Sequence, residues 1–198
     1  MPTTYDLRPA RGLDFPVVAR LFQALHEFNG SLDPRFQLDD RWHDILREHF
    51  LRSHTTPGAY WLLAWADAHP VGLLIMEAHT DSPLFADRCW AELVALYVVP
   101  EQRGSNLAQC MVDNGKNWAA ERGFDRIQLY VTASNMAARR FYARCGFGPV
   151  QEIWRTDITP TTNSMPLLDI SGVAEANACQ LESGHHHLAI GLRHQSET

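Results

Sequence analysis

The stretch CWAELVALYVVPEQRGSNLAQCMVDNGKNWAA, Cys89 to Ala120, decides how the rest of the chain is read. Trp90 to Val99 is rich in β-branched and large apolar residues and stops at Pro100, the pattern of a central strand. From Leu107 to about Ala120, Leu107, Cys110 or Met111, Asn114 and Trp118 recur at helical spacing. The hinge between them, Glu101 to Asn106, carries Arg103-Gly104 and ends in Ser105 and Asn106, both good helix N-caps. A strand, a glycine-bearing turn and a helix start together make an anion site. First-turn N–H groups lack internal acceptors, and the helix dipole favours negative charge there. An ordinary strand-to-helix connection has the same outline, so this stretch needs a second signal.

That signal comes about thirty residues later, in NMAARRFYARCGF, Asn135 to Phe147. It reads as a short helix, Ala137 to about Arg144, closed by Gly146 at the C′ position. Asn135, Ala138, Phe141-Tyr142 and Gly146-Phe147 match N-x-x-A-x-x-[FL]-Y-x-x-x-G-F position for position. Upstream stands Val98-x-Pro100-x-x-Arg103-Gly104-x-x-Leu107-Ala108. With both motifs in this order and separation, the chain resembles the acetyl-coenzyme A-binding core of the GNAT N-acetyltransferase superfamily, over roughly Thr4 to Arg155.

Composition sets wider bounds. A chain of 198 residues with 45% hydrophobic residues can bury one good core, or one domain plus a tail. A formal net charge of −6 argues against a nucleic-acid or anionic-membrane surface and favours cationic small partners. Cys89, Cys110, Cys145 and Cys179 are scattered without paired spacing, so neither a disulfide framework nor a zinc site is expected. With no membrane-length apolar run and no signal-peptide layout at the N-terminus, a cytoplasmic protein is expected.

In chain order, Thr3 to Arg8 reads as an edge strand stopped by Pro9. A helix capped by Asp14 follows, with Val17, Val18, Leu21, Phe22, Leu25 and Phe28 as its apolar stripe, ending at Asn29-Gly30. After the loop Ser31 to Gln37, a second helix runs from Asp39 or Asp40 to about Arg52. Ala59 to Ala66 and Val71 to Ala78 are nearly continuous apolar strands of a hairpin, buried on both faces. Arg126 to Val131 and Val150 to about Ile158 complete the expected strands. Residues 1–158 are assigned to one domain. The remainder, 159–198, has few large apolar residues and no sustained period, and reads as a poorly ordered or partly docked tail. Its run His185-His186-His187 has no fixed carboxylate or cysteine partner, so no metal is expected.

The resemblance implies a single-domain α/β (α+β) fold: a mixed, mostly antiparallel central sheet, splayed between the fourth and fifth strands and flanked by about four helices. It implies acetyl-coenzyme A as cosubstrate and acyl transfer to a primary amine. The coenzyme pyrophosphate would be held at Arg103, Gly104, Ser105, Asn106, Leu107 and Ala108. The backbone of Leu96, Tyr97 and Val98 would pair with the pantetheine arm, and Asn135 would contact that arm or simply cap its helix. Tyr142 occupies the family's general-acid position and also lies against the cofactor; its phenol is neutral at pH 7 and able to donate. Glu92, a carboxylate at the start of an apolar strand, is the candidate general base, with Glu77 in reserve. A strand-end carboxylate can also be merely solvated. Many relatives carry an acid where this chain has Val94. Asn106 stands where the family has a second glycine, which puts coenzyme affinity in question. Asp33 and Phe36 are candidate acceptor-pocket residues.

The acceptor stays open. A cationic small molecule such as a polyamine or aminoglycoside, an amino acid, and a protein N-terminus or lysine are all compatible. Another class of reading is a coenzyme A-binding or regulatory module without transfer activity. Homodimers formed through sheet edges are common in the family and would be compatible here.

Overall fold

The computed structural model describes residues 4–158. The tail and its histidine run lie outside the described residues. Five strands form one sheet in sequential order: β1 (Tyr5–Pro9), β2 (Ala59–Ala66), β3 (His69–Thr80), β4 (Cys89–Val98) and β5 (Ile127–Leu129). The first four pair antiparallel, and β4 pairs with β5 in parallel. This is the mixed sheet expected from the sequence. The apolar runs of β2 and β3 are buried on both faces because a helical layer covers each side of the sheet.

One layer holds α1 (Phe15–Leu32) and α2 (Trp42–Ser53). Val18, Leu21, Phe22, Leu46 and Phe50 pack there on Trp61, Leu63, Leu73, Ile75, Ala95 and Tyr97. The other layer holds α3 (Leu107–Glu121) and α4 (Met136–Arg144). Leu107, Met111, Val112 and Trp118 pack there on Leu62, Leu74, Met76, Ala91, Leu93 and Val98. Gly72 allows this close approach: a Cβ on it would sit 2.8 Å from Met111 Sδ and 3.2 Å from Ala64 Cβ.

Two expectations need correction. α1 does not end at Asn29-Gly30 but continues to Leu32, where the Asp33 N–H donates to the Asn29 carbonyl. Gly30 is buried because it packs against Gln37, so here the glycine serves close approach instead of termination. Val150 to Ile158 forms no strand. Val150, Trp154 and Ile158 share one period-two face, but that face also carries Glu152 and Thr156 and pairs with no strand among the described residues, so Val150, Ile153, Trp154 and Ile158 are all exposed. The segment is held by ion pairs instead, Arg155 to Asp33 at 2.7 Å and Asp157 to Arg35.

Gly72→Val should lower stability by about 1–3 kcal/mol, because the added methyl groups force α3 away from the sheet. Urea unfolding is expected to show a lower midpoint with an unchanged slope.

Candidate active site

The site begins where β4 loses a neighbour. Only Ala91, Glu92 and Leu93 pair with β5, opposite Ile127, Gln128 and Leu129, while β4 runs on to Val98. On its other side β4 stays paired with β3, but Ile75 faces Ala95 and Met76 faces Leu93, so Val94 is an extra, bulged residue. The Ala91 N–H donates toward β5, to the Arg126 carbonyl at 3.1 Å, and the Val99 N–H donates toward β3, to the Val71 carbonyl at 3.0 Å. Counting by strand alternation through the bulge, Leu96 and Val98 turn their peptide groups to the side β5 has vacated. Tyr97 faces the α1–α2 layer, while Leu96 and Val98 face α3.

The hinge after β4 closes one end of this gap. Gly104 has φ +83°, a left-handed conformation that only glycine adopts readily, and nothing lies within 4 Å of where its Cβ would be. Asn106 has φ −79° and ψ −2°, so the residue replacing the family's glycine needs no left-handed backbone. Nor does its side chain cap α3. The Leu107 N–H donates instead to Ser105 Oγ at 3.2 Å, and that hydroxyl donates to the Gln102 carbonyl. Intrahelical bonding starts with the Cys110 N–H on the Asn106 carbonyl. The first-turn N–H groups of Ala108 and Gln109 therefore point out of the helix, and no carboxylate stands in that turn. Open glycine backbone, a helix N-terminus and exposed Ser105 and Asn106 fit a diphosphate. Arg103 lies differently from the sequence picture: its Nε donates to the Val98 carbonyl at 3.2 Å, with the guanidinium over the Phe28 and Tyr97 rings.

Glu92 lies one residue before the paired end of β4 and faces the α1–α2 layer. Its register partner on β3 is Glu77. Two imidazoles accompany this carboxylate pair: His49 Nε2 of α2 lies 2.5 Å from Glu77 Oε1, and His79 Nδ1 lies 3.3 Å from Glu92 Oε2. All four side chains are largely buried. Burial, and after it the charge of Glu77, push the Glu92 carboxyl up to about 7. Neither His49 nor His79 belongs to a motif in the sequence. The usable signal was parity: Glu77 with His79, and Trp90 with Glu92, sit two apart on otherwise apolar strands.

Tyr142 sits in the opposite layer, on α4, half-buried among Phe141, Phe147 and the α3 face. Burial first, and Cys145 second, raise its phenol, so it remains protonated. Asn135 caps α4, its side chain accepting the Ala138 N–H at 3.0 Å. Lys116 Nζ donates to the Cys145 carbonyl at 2.6 Å and the Cys145 thiol donates to Gln109 Oε1, fastening α4 to α3. Glu92 thus faces the α1–α2 layer of the sheet, while the neutral phenol of Tyr142 lies in the layer against the other face. Asp33 and Phe36 lie in and beside the 3-10 turn after α1 (Pro34–Phe36). Asp33 is already engaged: it accepts the Arg35 N–H and pairs with Arg155, contacts that hold its carboxyl below the usual range. Among the described residues no three His, Cys, Asp or Glu side chains form a metal cluster, and no helix is long and apolar enough to cross a membrane.

Comparison with known proteins agrees with this geometry. The sequence model of the acetyltransferase (GNAT) family matches residues 19–147. A mycothiol acetyltransferase of Stackebrandtia nassauensis is 32% identical over 104 residues, covering 48% of this chain and 32% of that protein. This chain therefore spans about a third of that relative's length. Among solved structures, the aminoglycoside 6'-N-acetyltransferase AAC(6')-Ih of Acinetobacter baumannii superposes with a TM-score of 0.62 at 16% identity, over 79% of this chain and 99% of that one. AAC(6')-Iy, solved with the bisubstrate analogue CoA-S-monomethyl-acetylneamine, gives 0.63 at 15% identity, over 79% and 99%. At such identity these structures show a shared fold.

The raised carboxyl of Glu92 has a measurable consequence for stability. Its folded-state value lies above the ordinary 4.5, so the folded protein binds the proton more tightly and loses stability as pH rises from about 4.5 to about 7. Glu92→Gln removes that loss. Relative to the parent, the variant should gain on the order of 2 kcal/mol above neutral pH and nothing near pH 4, read from urea midpoints across pH.

Proposed function

The chain belongs to the acetyltransferase (GNAT) family, and from that premise we propose that it transfers an acetyl group from acetyl-coenzyme A to a primary amine, with a small cationic amine as acceptor. One observation carries this reading: β4 parts from β5 just past Glu92, a buried carboxylate whose carboxyl is pushed up to about 7. A polyamine or an aminoglycoside-like compound suits the acidic pair beneath α2 and the chain's net charge of −6. A protein N-terminus or lysine is the competing acceptor class.

The bound coenzyme supplies the acetyl group as an activated thioester. In this reading the N–H groups from Gly104 to Ala108 and the α3 dipole hold its pyrophosphate, and Arg103 keeps the hinge against β4 through the Val98 carbonyl. Leu96 offers its peptide group to the pantetheine arm, and its N–H polarises the thioester carbonyl. Glu92 takes a proton from the acceptor ammonium, directly or through water, which frees the nitrogen lone pair for attack on the acetyl carbon. A base with a pKa near 7 is ionised at working pH yet still binds a proton well. Tyr142 gives its phenolic proton to the departing sulfur as the carbon–sulfur bond breaks, and is reprotonated by way of solvent with the second proton that the acylated nitrogen sheds. Asp33 is committed to Arg155 and Arg35, so acceptor charge is met at Glu77 and Glu92 instead.

Thiol release from acetyl-coenzyme A, measured against a panel of amines, tests the reading. Release should depend on one amine class. Glu92→Gln should lower kcat/KM by roughly 10²-fold or more, and Tyr142→Phe should lower kcat. Coenzyme binding by calorimetry without thiol release for any amine would instead favour a binding module. Failure to bind the coenzyme at all would sink the proposal.

A further inference from the structure

We propose that Glu77, clamped by His49, acts with Glu92 as one proton-accepting dyad, so that the base of this site is a carboxylate pair. This inference rests on the acetyl-transfer reading above.

Glu77 and Glu92 are direct register partners on neighbouring antiparallel strands. Opposed residues in such a pair have their Cβ atoms about 4.5–5.5 Å apart, and like charges placed so are unfavourable. Here they also lie under a helical layer, largely out of water. A pair that only filled space would be better built from the apolar residues used along the rest of both strands. This pair is instead elaborately supported. His49 Nε2 reaches Glu77 Oε1 from α2, and His79 Nδ1 approaches Glu92 Oε2 from β3. Burial first, and the charge of Glu92 after it, raise the phenol of Tyr130, just past β5. His79 also stacks on Trp90, with ring centroids 4.2 Å apart. Each carboxylate thus has its own imidazole.

The arrangement has a chemical use. Two crowded carboxylates bind their first proton jointly and more tightly than either would alone. In the forward reaction the acceptor ammonium gives one proton to Glu92, and the pair holds it in the field of Glu77. It leaves to bulk water when the pair returns to its doubly ionised form. His49 sets how much charge Glu77 keeps facing Glu92, which makes Glu77 and His49 positioning residues for the base.

The test is the pH dependence of kcat/KM together with a 13C NMR titration of the glutamate δ-carboxyls in the full chain. Glu77→Gln removes the facing charge and should move the acid limb down by about one pH unit. His49→Gln unclamps Glu77, strengthens proton binding by the pair and should move the limb up. Glu77→Asp should stay close to the parent. In the parent protein the two δ-carboxyl resonances should report the same two coupled steps. Independent titration of the two resonances, or an acid limb unmoved by both Glu77→Gln and His49→Gln, would overturn the dyad. Absence of turnover in the parent would refute the acetyl-transfer reading, and the NMR titration would still decide whether the pair is coupled.

Discussion

The structure depends on a strand that is central over part of its length and an edge for the rest. β4 is paired on both sides from Ala91 to Leu93 and on one side beyond that to Val98. Peptide groups inside a protein need partners, and each one left without costs about 1–3 kcal/mol. The Val98 carbonyl is satisfied by Arg103, which draws the hinge back against β4 and places it over Tyr97 and Phe28. That contact, the left-handed Gly104 and the Ser105 cap then set the direction in which α3 starts. Where the sheet opens and where the anion-binding turn sits are thus one structural decision.

The same opening explains how chemistry is divided between the layers. Helices cover both faces of the sheet, so an ionisable group within it is buried on one side or the other. Glu92 and Glu77 lie under α2, and Tyr142 belongs to α4 in the opposite layer. Burial moves a carboxylic acid and a phenol the same way, toward the protonated form. It pushes the Glu92 carboxyl up to about 7 and keeps the Tyr142 phenol protonated. One environment therefore leaves the two groups in different states near neutral pH, because the unperturbed groups start on opposite sides of pH 7.

Much of this could be read from the chain alone. The continuous apolar runs of β2 and β3, the β4-hinge-α3 unit and the Asn135-to-Phe147 motif led to the sheet, the splay and the family. Local signals failed where tertiary contact overrode them. Gly30 looked like a helix terminus, yet its packing on Gln37 keeps it inside α1. Ser105 and Asn106 both read as N-caps, but the cap bond belongs to Ser105 alone. Arg103 reads as a pyrophosphate contact, while its guanidinium lies over the Phe28 and Tyr97 rings. Val150 to Ile158 reads as a strand, yet the face that holds Val150, Trp154 and Ile158 also carries Glu152 and Thr156 and finds no partner strand among the described residues. The carboxylate–imidazole cluster was the hardest to see, since Glu77 and Glu92 meet through strand register and His49 arrives from a helix.

The bulge at Val94 ties these features together. Strict alternation from Glu92 would turn Leu96 toward α1 and α2, and would send Tyr97 to the α3 side. The peptide groups of Leu96 and Val98 would then be used against β3, and those of Ala95 and Tyr97 would face the gap instead. One inserted residue reverses both parities at once. Val94 and Ala95 both pack on the α1–α2 side, Tyr97 stays there as a platform for Arg103, and the Leu96 peptide faces the opening. Glu92, lying before the bulge, keeps its place opposite Glu77. A single strand therefore turns a buried carboxylate toward one layer and a peptide group toward the gap within five residues, Glu92 to Leu96. The bulge decides which peptide groups reach the gap and keeps the Tyr97 ring beneath Arg103.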